Sequence, residues 1–157
     1  MKTVFHDLGR SSGAISMRLS YPEHVRYRCE KCAQCCGDTE NRVRSILLLK
    51  SDVTRISEKT TVQPSAFARK IAGFEPYLYR MRKTPDRRCV FLEKTSCSIY
   101  AIRPLICRFY PFQLNPRPDG YVFEYTDECP GIGKGPRLTR AFFTTLFNTF
   151  TDARERI

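Results

Sequence analysis

Cys29-Glu30-Lys31-Cys32-Ala33-Gln34-Cys35-Cys36 puts four thiols within eight residues, and four more cysteines follow singly as Cys89, Cys97, Cys107 and Cys129. A thiolate is a soft, anionic ligand for zinc or iron, and two-residue spacers on a turning backbone aim successive sulfurs at one point. The block therefore points to a metal centre. A fold that brings Cys89, Cys97, Cys107 and Cys129 to the same region must draw distant loops together, which predicts an α+β domain of short strands and loops arranged around the metal. Metal binding is then part of folding itself.

The chain has 157 residues, enough for one domain with a modest core, so residues 1–157 are read as a single domain. Its 41% hydrophobic and 12% aromatic content is that of a globular protein, and no apolar run is long enough to span a bilayer. The first residues, Met1-Lys-Thr-Val-Phe-His-Asp-Leu-Gly-Arg, contain no continuous apolar segment or small-residue cleavage site, which leads to the expectation of a cytoplasmic protein without a membrane partner. In a reducing compartment the eight thiols stay available to metal rather than forming disulfides. Neighbours such as Cys35 and Cys36 cannot readily bridge each other in any case.

The formal charge of +11 would ordinarily suggest nucleic acid or an anionic surface. Many of the cations flank cysteines: Arg26, Arg28 and Lys31 at the first block, Arg87 and Arg88 before Cys89, Lys94 before Cys97, and Arg103 and Arg108 around Cys107. A cluster held by four thiolates carries a charge of about −2, and nearby cations stabilise it. With no RNA-binding aromatic signature and no paired zinc-finger histidines, nucleic acid is not the favoured partner from sequence; a protein partner or client is. His6 and His24 read as solvated or structural residues, not ligands.

Along the chain, residues 15–28 alternate apolar and polar and predict extended chain leading into the cysteine loop. Val43 to Leu49 reads as a buried extended segment, followed by a helix over Asp52 to Glu58 capped by Ser51, with Val53 and Ile56 inward. A second helix is expected from Pro64 to Gly73, and a strand from Phe74 to Met81. Cys89-Val-Phe-Leu and Cys97 flank a turn, and Ser98 to Ile102 forms one helical turn that Arg103-Pro104 ends. Cys107 is then expected at an extended strand entrance. Phe109 to Leu114 and Tyr121 to Thr126 predict a hairpin around a Pro-rich turn, and Cys129-Pro-Gly-Ile-Gly-Lys-Gly a flexible loop. Residues 137–157 carry a stripe of Leu138, Phe142, Leu146, Phe150 and Ala153, widened by Phe143 and Phe147, which predicts an amphipathic C-terminal helix packed on the body of the protein.

Cys29, Cys32 and Cys35 have the spacing that holds three corners of a [4Fe-4S] cluster, with Cys129-Pro130 as a candidate fourth ligand. Adjacent side chains point in different directions in most backbone conformations, so Cys36 is assigned to a second set. Eight ligands divide as four and four, and a single cluster with several spare thiols is a further reading. Two tetrahedral zinc sites satisfy the same count, and ligand identity alone does not separate zinc from iron.

Cys29-x2-Cys32-x2-Cys35-Cys36-Gly37, Cys89-Val-Phe-Leu, Cys97-Ser-Ile-Tyr, Arg103-Pro-Leu-Ile-Cys107-Arg-Phe-Tyr-Pro-Phe and Cys129-Pro-Gly together resemble the YkgJ-like CxxCxxCC family of zinc- or iron-chelating, Fe-S-cluster-containing domains. The resemblance spans residues 27 to 133. It implies that Cys29, Cys32, Cys35, Cys36, Cys89, Cys97, Cys107 and Cys129 are metal ligands, and that Arg103 and Arg108 surround Cys107. The family's usual glycine after the second cysteine is replaced here by Ala33. The expected function is that of a cytoplasmic metal-binding protein with an iron-sulfur cluster, or alternatively zinc, in a redox or accessory role. Two alternatives are a cluster-assisted protein-modifying enzyme resembling lysine N-methylases and a zinc-stapled module binding nucleic acid or an acidic protein. No Gly-rich cofactor loop or acid/base constellation supports a self-contained enzyme.

Overall fold

The computed structural model describes residues 3–7 and 17–156, and backbone alone for the first of these segments. In chain order the strands are β1 (Thr3–Asp7), β2 (Arg18–Pro22), β3 (Arg26–Tyr27) and β4 (Leu47–Leu48), followed by helices α1 (Lys50–Thr60) and α2 (Pro64–Phe67). Next come β5 (Ala68–Lys70), β6 (Tyr79–Met81), β7 (Leu92–Glu93), β8 (Ser96–Cys97), a 3-10 turn (Tyr100–Ile102) and α3 (Leu105–Phe109). The chain ends with β9 (Phe112–Arg117), β10 (Gly120–Tyr125), β11 (Ile132–Arg137) and α4 (Arg140–Glu155). Short strands mixed with helices make this a small α+β fold with a C-terminal helix, as the cysteine distribution requires. Among the described residues no helix is long and apolar enough to cross a membrane.

The chain divides into two compact units, residues 1–30 with 109–144, and residues 31–108 with 145–157. In the first unit the hairpin predicted around the Pro-rich turn forms β9 and β10, paired from Phe112↔Tyr125 to Arg117↔Gly120. β10 continues in parallel onto β2, and β1 closes the sheet, giving the order β1-β2-β10-β9. Gly120 permits that junction, since a Cβ there would lie 1.9 Å from the Arg18 carbonyl oxygen. The core of this unit is aromatic: Phe143, fully buried, stacks on Tyr21 at 4.7 Å and meets Phe112 edge-on at 5.1 Å and Phe123 at 5.3 Å.

In the second unit β4, β6 and β5 form a three-stranded sheet and β7 and β8 a small hairpin. α1 turns Val53 and Ile56 inward, and Leu48, Ile56 and Phe67 are almost completely buried. Thr61, in the left-handed conformation, ends α1 by donating its N–H to the Ser57 carbonyl.

Several local expectations are corrected. The second helix stops at Phe67, because Ala68–Lys70 pairs with β6 and the Phe67 carbonyl accepts the Arg82 N–H at 2.7 Å. Only Tyr79–Met81 of the expected aromatic strand is β; Phe74 and Tyr77 close a turn through a 2.9 Å backbone bond. Residues 132–137 form β11 on β3 instead of a flexible loop. The C-terminal helix begins at Arg140 rather than 137, because Arg137 is part of β11 and the Thr139 hydroxyl accepts the Phe142 N–H as a cap. Ile15, Ser16 and Ile157 lie outside the described residues. His24 is exposed beside Glu23, as a solvated histidine should be.

Phe143→Ala removes the ring that the Tyr21, Phe112 and Phe123 side chains share. It should lower unfolding stability by roughly 3–5 kcal/mol, read as a lower denaturation midpoint at unchanged slope.

Candidate metal centre

The first unit contains Cys29 and Cys129. Cys29 follows β3 by two residues, Cys129 precedes β11 by three, and the antiparallel register Tyr27↔Ile132 carries the two strand ends past each other. The Arg28 N–H bonds the Gly131 carbonyl at 3.2 Å, so Cys29 and Cys129 belong to directly neighbouring segments. Gly131 makes this approach possible: a Cβ there would stand 2.1 Å from the Arg28 carbonyl oxygen. Cys129 is buried and Cys29 partly so.

The second unit contains the other six. Lys31 and Ala33 both take left-handed backbone, φ 55° and 63°, so the loop turns tightly after Cys32, which is exposed. Ala33 occupies a conformation in which glycine carries no Cβ cost. The Cys36 N–H returns to the Ala33 carbonyl at 3.0 Å, and the Cys36 carbonyl accepts the Cys89 N–H at 2.6 Å. These bonds lay the end of the cysteine block alongside Cys89. β7 and β8 then pair Leu92 with Cys97, returning that thiol to the same region.

Cys35 and Cys36 do not diverge as the sequence suggests. Their sulfurs are 3.8 Å apart. The Cys35 thiol is pushed far above its ordinary pKa, first by its contact with Cys36 and then by burial. Cys107 is likewise raised, by burial and then by Cys35, Cys89 and Cys97; Cys89 is raised by burial, with Cys97 and Cys35 adding to it. Cys35 and Cys97 thus both lie close enough to Cys89 and Cys107 to oppose their ionisation. Cys89 belongs to the apolar core cluster with Phe67, Phe91 and Ile99, and Cys36, Cys97 and Cys107 pack against it.

Among the described residues no three Cys, His, Asp or Glu side chains converge on one point at coordination distance. The donor chemistry nevertheless fits a thiophilic cation. Burial and mutual repulsion both disfavour thiolate, and a bound cation reverses both effects. Cys35, Cys89, Cys97 and Cys107 are the residues that would hold it, with Cys36 adjacent.

Cys107 sits in helix α3 and not on an extended segment. Pro104 ends the preceding turn but also starts this helix, since its carbonyl accepts the Arg108 N–H at 3.1 Å. The helix is anchored by Asp52, which sequence reasoning treated only as a helix residue. Asp52 is 1% exposed. Its Oδ2 accepts the Leu49 N–H at 2.9 Å, and its Oδ1 accepts the Leu105 N–H at 3.2 Å and an Arg55 N–H at 2.8 Å. Leu49, not Ser51, is therefore the N-cap of α1. Arg55 extends the network to the carbonyls of Ile102 and Arg103. One carboxylate thus ties the start of α1 to the start of the helix that carries Cys107. An Asp at the third position of a helix, followed by Arg at i+3, was the available signal.

Arginines crowd the same place. Arg108 is pushed below the usual arginine pKa, first by burial and then by Arg55 and Arg103. Arg103 covers the Tyr100 ring at 3.9 Å, so Tyr100 has a packing role. On the other side Lys83 pairs with Asp38 at 2.6 Å, beside the Gly37↔Arg88 bridge.

The profile of the CxxCxxCC family, described as a "putative zinc- or iron-chelating domain", matches residues 28–130, and the chain belongs to that family. An uncharacterized protein of Methanocaldococcus jannaschii is 28% identical over 108 residues, which cover 67% of this chain and 55% of the relative. The chain thus spans about half the length of the curated relative it matches. No solved structure matches.

Asp52→Ala leaves Arg55 and two backbone N–H groups without their acceptor, and should cost roughly 3–5 kcal/mol; Ser51→Ala should change the denaturation midpoint little. The raised thiols also fix a pH dependence. Unfolded thiols ionise near pH ~8.5 while the folded, metal-free thiols hold their protons, so above that pH the unfolded state binds fewer protons and stability falls. Melts of chelator-stripped, reduced protein should therefore move to lower temperature from pH 8 to 10.

Proposed function

We propose that this CxxCxxCC chain is a cytoplasmic metal-binding protein in a redox or accessory role, with an iron-sulfur cluster held by cysteine thiolates. The observation that carries the metal reading is the group Cys35, Cys89, Cys97 and Cys107: Cys89, Cys97 and Cys107 meet at one apolar cluster, and Cys35 and Cys97 lie close enough to oppose ionisation of both Cys89 and Cys107. Uncharged thiols could pack there at little cost, but then nothing would require four of them. The preference for iron-sulfur over zinc rests on the Cys29-x2-Cys32-x2-Cys35 spacing, a sequence signal that shares only Cys35 with that four-thiol group, and on Arg103 and Arg108 flanking Cys107 in the chain. Bound metal supplies electron transfer or a deliverable cluster; the chain's own residues orient the sulfurs, exclude water from Cys89 and neutralise charge. A protein partner or client follows from such a role.

A second reading has a specific observation behind it. Sulfurs about 2.3 Å from a single tetrahedral ion are about 3.8 Å from one another, and Cys35 and Cys36 have that separation. A mononuclear tetrathiolate site, zinc above all, therefore accepts this adjacent pair without rearrangement. The lysine methylase-like alternative has no comparable feature.

Protein purified without air should be brown, contain iron and acid-labile sulfide in about equal amounts, and undergo reversible reduction. Colourless protein containing zinc alone would move the assignment to the second reading, and metal-free protein after growth with both metals would remove both. Cys107→Ser should lose metal and solubility together, whereas a soluble variant that keeps its full metal content would show that Cys107 is no ligand.

A further inference from the structure

β5 and β6 turn Ala68 and Met81 into the core of the second unit, which places their cross-strand neighbours Arg69 and Arg80 on the opposite face, directly across from each other. Arg82, two residues beyond Arg80, projects to that same face. Three guanidinium groups thus share one side of two short strands. Like charges placed opposite each other in an antiparallel pair oppose strand pairing. Among the described residues none of the three has a carboxylate partner, in contrast to Arg55 with Asp52 and Lys83 with Asp38 in the same unit. Arg82 donates its Nε to the Ser65 carbonyl, whereas the Nε of Arg80 is shielded from water without a hydrogen-bond acceptor. Beside them Phe74 is 47% exposed, with the Arg80 guanidinium 5.6 Å from its ring centroid.

We propose that Arg69, Arg80 and Arg82 bind the phosphate backbone of a single-stranded nucleic acid, with a base stacked on Phe74. An anion between Arg69 and Arg80 relieves their repulsion. Guanidinium suits phosphate because its planar donors meet two oxygens at once. The exposed ring selects the strandedness. A duplex keeps its bases stacked inside and offers Phe74 nothing, whereas a single strand presents free base faces to an aromatic platform beside a cationic track. An acidic peptide would satisfy the arginines but leave the ring unused. None of the four residues is a candidate metal ligand, so the site is independent of the metal assignment.

The test uses the full metal-loaded chain and a fluorescein-labelled oligouridine of about 12 nucleotides, a length that one small site can engage, followed by fluorescence anisotropy across a salt series. The Arg69→Gln/Arg80→Gln pair should weaken binding at least about tenfold and flatten the slope of log K against log salt by about 1.4, about 0.7 for each phosphate that is no longer neutralised. Phe74→Ala should weaken binding at unchanged slope. Arg69→Gln alone, at an exposed position where it relieves repulsion, should melt no lower than the parent while binding more weakly, which separates impaired binding from impaired folding. Undetectable binding by the parent, equal binding by the arginine variants, or tighter binding to an RNA duplex or to polyglutamate would each overturn the proposal.

Discussion

Thiols gathered at one small apolar cluster, with Cys35 close by, set the terms for the second unit. Burial makes Cys89 and Cys107 hard to ionise, and Cys35 and Cys97 act in the same direction on both; Cys35 is held protonated by Cys36 and by burial. As neutral thiols they are weak hydrophobes that contribute little beyond ordinary side-chain packing. As thiolates they are unfavourable until a cation joins them, and from then on the same proximity that opposed charge favours binding. The proposed metal binding gives this grouping a chemical reason.

The surrounding structure consists largely of devices that hold sulfur-bearing segments side by side. A backbone bond joins Cys36 to Cys89, a two-residue hairpin returns Cys97, and Asp52 fixes the helix that presents Cys107. Charge follows the same logic. Asp52 is buried but fully engaged by Arg55 and two N–H groups, and Arg103 and Arg108 add cations on the side of Cys107. In the first unit, the β3 and β11 register brings the segments of Cys29 and Cys129 alongside each other with the same economy.

The fold class, the Phe112–Tyr125 hairpin region, α1 and the C-terminal helix were legible because hydrophobic periodicity and turn residues specify them locally. The aromatic stripe of α4 is centred on Phe143, Leu146 and Phe147, within the face read from sequence. What escaped were features decided by non-local partners. Residues 68–70 leave the helical pattern because β6 offers hydrogen bonds, and the glycine-rich stretch after Cys129 becomes a strand because β3 is there to receive it. Pro104 was read as a terminator, although a proline that ends one turn is equally suited to begin the next helix. The eight cysteines were obvious from spacing, but Asp52 was not: a carboxylate in the first turn of a helix is common, and only its contact with Leu105, 53 residues on, gives it a role at the site.

The central claim is that Cys35, Cys89, Cys97 and Cys107 bind one metal centre jointly. X-ray absorption at the metal edge of the purified, reduced protein counts the neighbours directly. The account predicts a shell of sulfur at about 2.3 Å with no lighter ligand, losing a sulfur when Cys107 is replaced by serine. A shell of oxygen and nitrogen, or a sulfur count that ignores Cys107, would contradict it.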